Sequence, residues 1–156
     1  MSDVRVEPAA ASERDVVARL LELYAHDFSE RNGADVGDDG TYGYRYLDAY
    51  WSEPDRHPFL FRVDGRLAGF ALVRTGPPID MAEFFVLRKY RRGGIGTDAA
   101  RAVFARFPGE WQVRQQWENS GAIDFWRRAI PVAFDEGETG EGPVQRFVMP
   151  EASGPG

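Results

Sequence analysis

The sequence predicts an α/β domain of mixed (α+β) type, and three observations carry that reading. Short apolar segments of strand period alternate with segments of helix period along most of the 156 residues. An Asp64-Gly65 pair stands between two apolar runs, a strong local signal for a hairpin. Near the middle, an apolar run leads through Arg91-Arg92-Gly93-Gly94-Ile95-Gly96 directly into a helix-forming stretch. One domain is expected over residues 1–150, with residues 151–156 as a disordered tail.

Residues 4–8 alternate and stop at Pro8, giving a first strand. Ser12, with Asp15 three residues on, caps a helix in which Val16, Val17, Leu20, Leu21, Tyr24 and Phe28 recur at helical spacing, to about Arg31. Residues 32–43 are polar and glycine-rich, a loop that carries Asp35, Asp38 and Asp39. Tyr42, Tyr44, Tyr46, Leu47, Tyr50 and Trp51 are expected on a second, short helix. Those aromatics either cover the edge of the core or wall an acceptor pocket, for which the acidic loop favours a cation. Residues 58–63 and 66–73 form the hairpin, and Gly76-Pro77-Pro78 breaks the chain before a strand over residues 79–87. After the glycine turn a helix runs to about Phe107 and ends at Pro108-Gly109. Residues 110–117 alternate as a strand, Asn119-Ser120 opens a helix over residues 121–129, and Pro131 closes it. Residues 130–134 and 145–149 read as two closing strands, joined by an acidic, flexible loop at 136–142.

Composition excludes several classes of function. With no cysteine there are no disulfides, thiolate metal sites or cysteine nucleophiles, and two histidines, His26 and His57, are too few for a histidine metal cluster. No metal is expected. A net charge of −6 argues against a nucleic-acid partner, whose phosphates need a basic face. No window approaches the ~18 apolar residues of a membrane span, and the N-terminus has no basic segment followed by an apolar one. The cytoplasm is the expected location.

A strand that enters a helix through glycines leaves backbone N–H groups free at the positive end of the helix dipole, which suits a phosphate. Arg91 and Arg92 add positive charge at the lip. The plainer alternative is an ordinary turn with two solvated arginines. Two familiar phosphate loops are excluded: Lys89, the chain's one lysine, precedes the glycines, and Gly94-Ile95-Gly96 continues as Thr97-Asp98-Ala99. What remains is R-x-x-G-x-G, with Arg91, Gly94 and Gly96 in the fixed places and Val86 five residues upstream. This resembles the acetyl-CoA loop of the GNAT (Gcn5-related) N-acetyltransferase superfamily. A second anchor, Asn119, Ala122, Phe125 and Trp126 in the pattern N-x-x-A-x-x-F-[YW], is similar to another GNAT motif and falls at the expected distance.

The resemblance implies a twisted mixed sheet of about six to seven strands with helices on both faces, in which the fourth and fifth strands splay apart. It implies acetyl-CoA as co-substrate, its pantetheine arm against the backbone of Phe85 and Val86, and its pyrophosphate on the N–H groups around Arg91, Arg92, Gly93, Gly94, Ile95, Gly96 and Thr97. Asn119 either helps hold the pantetheine or caps its helix, and the two roles are compatible. The implied reaction is direct transfer of acetyl to a primary amine of a small-molecule or peptide acceptor. Glu83, set in an apolar strand where burial raises a carboxyl pKa, is the candidate general base, with an ion-pair role as its alternative. The Val86 N–H, freed by a bulge, is the candidate oxyanion donor. Trp126 stands where many relatives carry an acidic tyrosine, so either the thiolate leaves without an acid or Ser120, Tyr42, Tyr44 or Tyr46 substitutes, and the acid stays unassigned. The alternative to an enzyme is a GNAT-fold module that binds acyl-CoA without turnover, as a sensor or interaction domain. No membrane partner is expected, and a homodimer is among the expectations.

Overall fold

The computed structural model describes residues 3–152. Strand β1 (Val4–Pro8) leads through a single 3₁₀ turn into helix α1 (Arg14–Asn32), which ends at Gly33 in the left-handed conformation. A long irregular segment carries one helical turn, α2 (Ala49–Ser52), before strands β2 (Arg56–Val63), β3 (Arg66–Arg74) and β4 (Ile79–Val86). Helix α3 (Ile95–Ala105), β5 (Gly109–Arg114), α4 (Ser120–Ala129), β6 (Asp135–Glu138) and β7 (Pro143–Met149) complete the chain. The strands form one seven-stranded sheet in the order β1-β2-β3-β4-β5-β7-β6. Every pairing is antiparallel except β4 with β5, whose parallel alignment requires the α3 crossover.

Two apolar layers sandwich the sheet. On one face Val17, Leu20 and Leu21 of α1 pack with Tyr50 against Leu60, Phe70, Leu72 and Phe85. On the other, Ala99, Ala100, Val103 and Phe104 of α3 and Trp126 of α4 pack against Phe61, Val73, Met81 and Trp111. Phe104 meets Trp111, Trp126 and Phe147 edge-on, so aromatic contacts tie α3, α4 and the sheet together.

The feature that makes a site is the join between β4 and β5. These strands pair only at Ile79 with Trp111 and Asp80 with Gln112, then separate. Beyond that point the β4 edge facing β5 has no strand on it. The Leu87 N–H donates to the Ala68 carbonyl of β3. Because N–H groups alternate along a strand, Phe84 and Val86 present theirs to the gap.

The architecture agrees with the sequence reading, and the differences are local. The aromatic segment 42–51 is mostly turns, with a helix only at Ala49–Ser52. The segment 130–134 is no strand: Ile130 donates its N–H to Trp126 to close α4, and its apolar residues pack on the core. The acidic segment instead pairs, as β6, because Arg127 holds Glu136 through two hydrogen bonds of 2.9 and 2.7 Å, and Gln145 donates a third of 2.8 Å. Hydrogen bonding by Arg127, then Gln145, holds the Glu136 carboxyl at about 2, so it remains an anion on that edge. Strand β5 ends at Arg114, although Gln115 and Trp117 still donate to the carbonyls of Pro143 and Glu141.

Candidate active site

A cleft of about 840 Å³ opens where β4 and β5 part. Tyr24 and Phe28 of α1 and Tyr44 of the long connection form one wall, and Gln115, Gln116, Asn119 and Trp126 the other. Residues Met81 to Phe84 form the floor, with Arg114 beside them, and Thr139, Gly140 and Glu141 of the β6–β7 turn close the rim.

Glu83 lies on this floor. Burial is the largest influence on its carboxyl and raises the pKa; the Tyr24 phenol opposes this, Asp80 adds to it, and Arg74 and Arg114 oppose it. The net shift is upward, toward the range of a general base working near neutrality. Tyr24 is held well above the ordinary phenol value by burial first and by Glu83 second, and Tyr44 is raised by the same two causes. Both phenols therefore stay protonated.

The bulge expected at Val86 lies elsewhere. Leu72 pairs with Glu83 and Val73 with Met81, so Ala82 is the extra residue. The Val86 N–H reaches the gap by ordinary strand alternation. Phe85 is turned the other way: its register places its backbone against Phe70 of β3, and its ring packs on Tyr24 and Phe70. Phe84 takes its place on the gap side.

The glycine turn has two kinds of arginine. Arg91 donates from Nε to the Val86 carbonyl at 2.8 Å and from Nη2 to Asp27 at 2.9 Å, so it fastens the turn to β4 and α1. Arg88 also bonds Asp27. Burial works against the Asp27 carboxylate, but the bonds from Arg88 and Arg91 prevail and hold its pKa below the ordinary value. Arg92 is exposed and makes no ion pair among the described residues, which leaves it as the mobile cation. Arg92 and Gly94 both have left-handed backbones (φ 70° and 81°), and a Cβ on Gly93 or Gly94 would meet nothing within 4 Å. Gly96 differs: a Cβ there would lie 3.1 Å from the Phe125 ring, so it lets α3 approach α4. The N–H groups of Ile95, Gly96 and Thr97 begin α3 and have no acceptor within it. Open space, free donors and a spare cation together fit a pyrophosphate.

Asn119 caps α4, its Oδ1 accepting from the Ala122 N–H at 3.1 Å, while its residue borders the cleft. Trp126 is buried against Phe84 at 4.9 Å between ring centres. Among the candidate proton donors, Tyr44 borders the cleft, Tyr46 is exposed and Tyr42 donates to Ser29. Asp35 borders a separate, shallower hollow with His26 and Glu30, and Asp39 holds Thr41. Asp35, Asp38 and Asp39, the acids expected to favour a cationic acceptor, are therefore absent from the cleft lining. The sequence reading did not single out Tyr24, Asp27, Asp80 or Arg114. Only the alternation within strands and helices hinted at which face each would take.

Residues 17–130 match the model of the Acetyltransferase (GNAT) family. The chain belongs to this family and is by class an acetyl-CoA-dependent N-acetyltransferase. Among curated proteins none matches the sequence. Among solved structures it is similar to an acetyltransferase from Thermus thermophilus, at 15% identity over 94% of this chain and 96% of that one, with a TM-score of 0.71. It is also similar to the PaiA N-acetyltransferase of Thermoplasma acidophilum in complex with coenzyme A, at 13% identity, 94% and 99% coverage and a TM-score of 0.62. An aminoglycoside acetyltransferase from an uncultured soil metagenomic sample, in complex with sisomicin, matches at 17% identity, 87% and 93% coverage and a TM-score of 0.64. At these identities the structural likenesses speak for the fold.

Proposed function

We propose that the protein transfers the acetyl group of acetyl-CoA directly to a primary amine positioned over Glu83. The observation that carries this reading is a half-buried carboxyl of raised pKa on the floor of a cleft whose edge exposes unpaired backbone donors of β4. Acetyl-CoA would supply the acyl group as an activated thioester. Arg92, Gly93, Gly94, Ile95, Gly96 and Thr97 would hold its pyrophosphate, and Phe84, Val86 and Asn119 its pantetheine.

The protein's part in the chemistry is mainly position, and effective molarities from good placement reach ~10⁵–10⁸ M. An incoming amine arrives as an ammonium ion, and Glu83 accepts its proton, directly or through water, to free the nucleophilic lone pair. The Val86 N–H points to the place where negative charge would gather on a carbonyl oxygen. Once the C–N bond has formed, the nitrogen gives up its second proton as the C–S bond breaks, and the departing sulfur takes it, directly or relayed through the phenol of Tyr44 or Tyr24. Trp126 has no acidic proton to give, and a thiolate leaves without strong acid assistance.

Release of free thiol from acetyl-CoA is the test, measured against a panel of amines on the wild type and on Glu83→Gln. Glu83→Gln is expected to keep acetyl-CoA binding and to lose roughly 10²–10⁴ in rate. Equal turnover by the two proteins would remove Glu83 from the mechanism. A module that only bound acyl-CoA would release no thiol in either case.

A further inference from the structure

The cleft floor sets two arginines on a single buried carboxylate. Asp80 is 4% exposed, and its Oδ2 accepts from the Nη2 atoms of both Arg74 and Arg114, the latter at 2.8 Å. One arginine is enough to pair with a buried carboxylate, and the second keeps hydrogen-bond donors for another anion. Arg114 is the better placed of the two to offer them. It borders the cleft, its side chain is 48% exposed, and among the described residues Asp80 alone takes its hydrogen bonds. Its Nε and Nη1 donors are left over.

Position on the sheet puts this group next to the base. Gln112 of β5 is level with Asp80, so Arg114 is two residues further on, across the opening gap from the bulged residue Ala82, and its charge acts on Glu83. Asp80 opposes Arg74, and Glu83 opposes Leu72, a residue of the α1-side layer. Arg74, Asp80, Arg114 and Glu83 thus share one face. The other groups facing Glu83 are the phenols of Tyr24 and Tyr44, which carry no charge, and Glu141 lies out at the exposed rim.

We infer that Arg114, backed by Arg74 and Asp80, is an anion subsite for the acceptor. The acceptor is then an amine that carries a carboxylate a short distance from its nitrogen, a molecule of the amino-acid type. Its ammonium group lies toward Glu83 and its carboxylate on the free edge of the Arg114 guanidinium, whose fork matches a carboxylate. Purely cationic acceptors such as polyamines have no anion to set on that free edge. This inference rests on the acetyltransferase reading above and narrows it to one acceptor class.

The experiment compares each protein amino acid with its own carboxamide, alongside spermidine, by thiol release from acetyl-CoA. Acetyl-CoA binding is measured separately by calorimetry. The wild type is expected to favour at least one amino acid over its carboxamide by roughly 10- to 100-fold in kcat/KM, the worth of a charge-assisted hydrogen bond. Arg114→Gln should bring that ratio close to one, and Arg114→Lys should restore part of it. A ratio measured on one protein does not depend on how much of it is folded, so loosening of the Asp80 cluster cannot imitate the result. Equal or better use of carboxamides or spermidine by the wild type overturns the inference. So does an unchanged ratio in Arg114→Gln, or acetyl-CoA binding with no amino acid accepted. Failure to bind acetyl-CoA at all would overturn the acetyltransferase reading itself, and the inference with it.

Discussion

Substitution at Gly94 separates a phosphate cradle from an ordinary turn, because the structure divides its effects in advance. Gly94 has φ 81° and ψ −3°, and a Cβ built on it would meet nothing within 4 Å. Gly94→Ala therefore brings no clash, only the cost of a left-handed backbone for a residue with a side chain, about 1–2 kcal/mol. Against a typical stability of about 5–15 kcal/mol, such a protein remains folded. Gly94→Glu carries the same backbone cost and sends a carboxylate into the open space in front of the α3 N-terminus. A unit charge ~4 Å from a phosphate oxygen is repelled by about 1–4 kcal/mol at effective dielectrics between water and a protein surface. Acetyl-CoA affinity should fall roughly 5- to 1,000-fold, with partial recovery at high salt as the repulsion is screened. Calorimetric titration of wild type, Gly94→Ala and Gly94→Glu with acetyl-CoA reads this directly. Acetyl-pantetheine, which has no pyrophosphate, is the control and should bind all three alike. If Gly94→Glu binds acetyl-CoA within twofold of wild type, or weakens both ligands equally, the pyrophosphate is not on this turn.

The remaining expectations concern the base, the clasp and the rim. Since burial raises the Glu83 carboxyl, the folded state favours its protonated form, and that stabilisation is present at acid pH and lost as pH rises through the folded pKa. Thermal melts should accordingly show Glu83→Gln gaining on wild type between acid and neutral pH, while the wild-type rate shows an acid limb above the ordinary carboxylate range; a constant melting difference would contradict the shift. Asp27→Ala removes the acceptor shared by Arg88 and Arg91, exposed pairs worth about 0–1 kcal/mol each, so the melting temperature should fall by less than about 8 °C. The turn loses its preorganisation, and acetyl-CoA should bind roughly 3- to 10-fold more weakly in calorimetry; unchanged affinity would make the clasp irrelevant to binding. A Cβ at Gly142 would lie 2.1 Å from the Gln115 carbonyl oxygen, so Gly142→Ala must push the β6–β7 turn away by about an ångström, at a cost of about 1–3 kcal/mol. Acceptor KM should rise more than acetyl-CoA affinity falls, and the opposite order would place Thr139 to Glu141 on the cofactor side.

What the sequence made legible is what depends on local chemistry. The Asp64-Gly65 turn, the Gly94-x-Gly96 entry to α3 and the Asn119 cap each need particular residues at particular backbone angles, and those residues are visible in one dimension. The same holds for α1, whose apolar stripe has the helical period. Readings from polarity alone did worse. Val132 and Phe134 look like strand residues because they are apolar, but their alternation reflects burial on the core and not pairing. Asp135 to Glu138 look like a loop because they are acidic, yet Arg127 and Gln145, remote partners in space, make a strand edge of them. The acids of residues 35–39 similarly suggest a cationic acceptor by their charge alone, and only the path of the chain shows that Glu141 is the acid at the rim.

The central arrangement of the site was beyond any reading of pattern, and the reason is a single residue. Side chains an odd number apart on a regular strand face opposite ways. Asp80 and Glu83 are three apart, but Asp80 opposes Arg74 and Glu83 opposes Leu72, two positions on one face of β3. Ala82, the extra residue between them, supplies the missing half-period. Without it either the base or the buried carboxylate would face the layer of Phe104 and Trp111 beneath α3, where neither arginine could follow. The segment Met81-Ala82-Glu83-Phe84-Phe85 is flanked by apolar layers on both sides, so its hydrophobicity has no period to betray a slip of one residue. A bulge of this kind re-aims a side chain while leaving the rest of the sheet in register. Here it brings the proton acceptor and the arginine pair to the same floor, at the point where β5 leaves the β4 edge free.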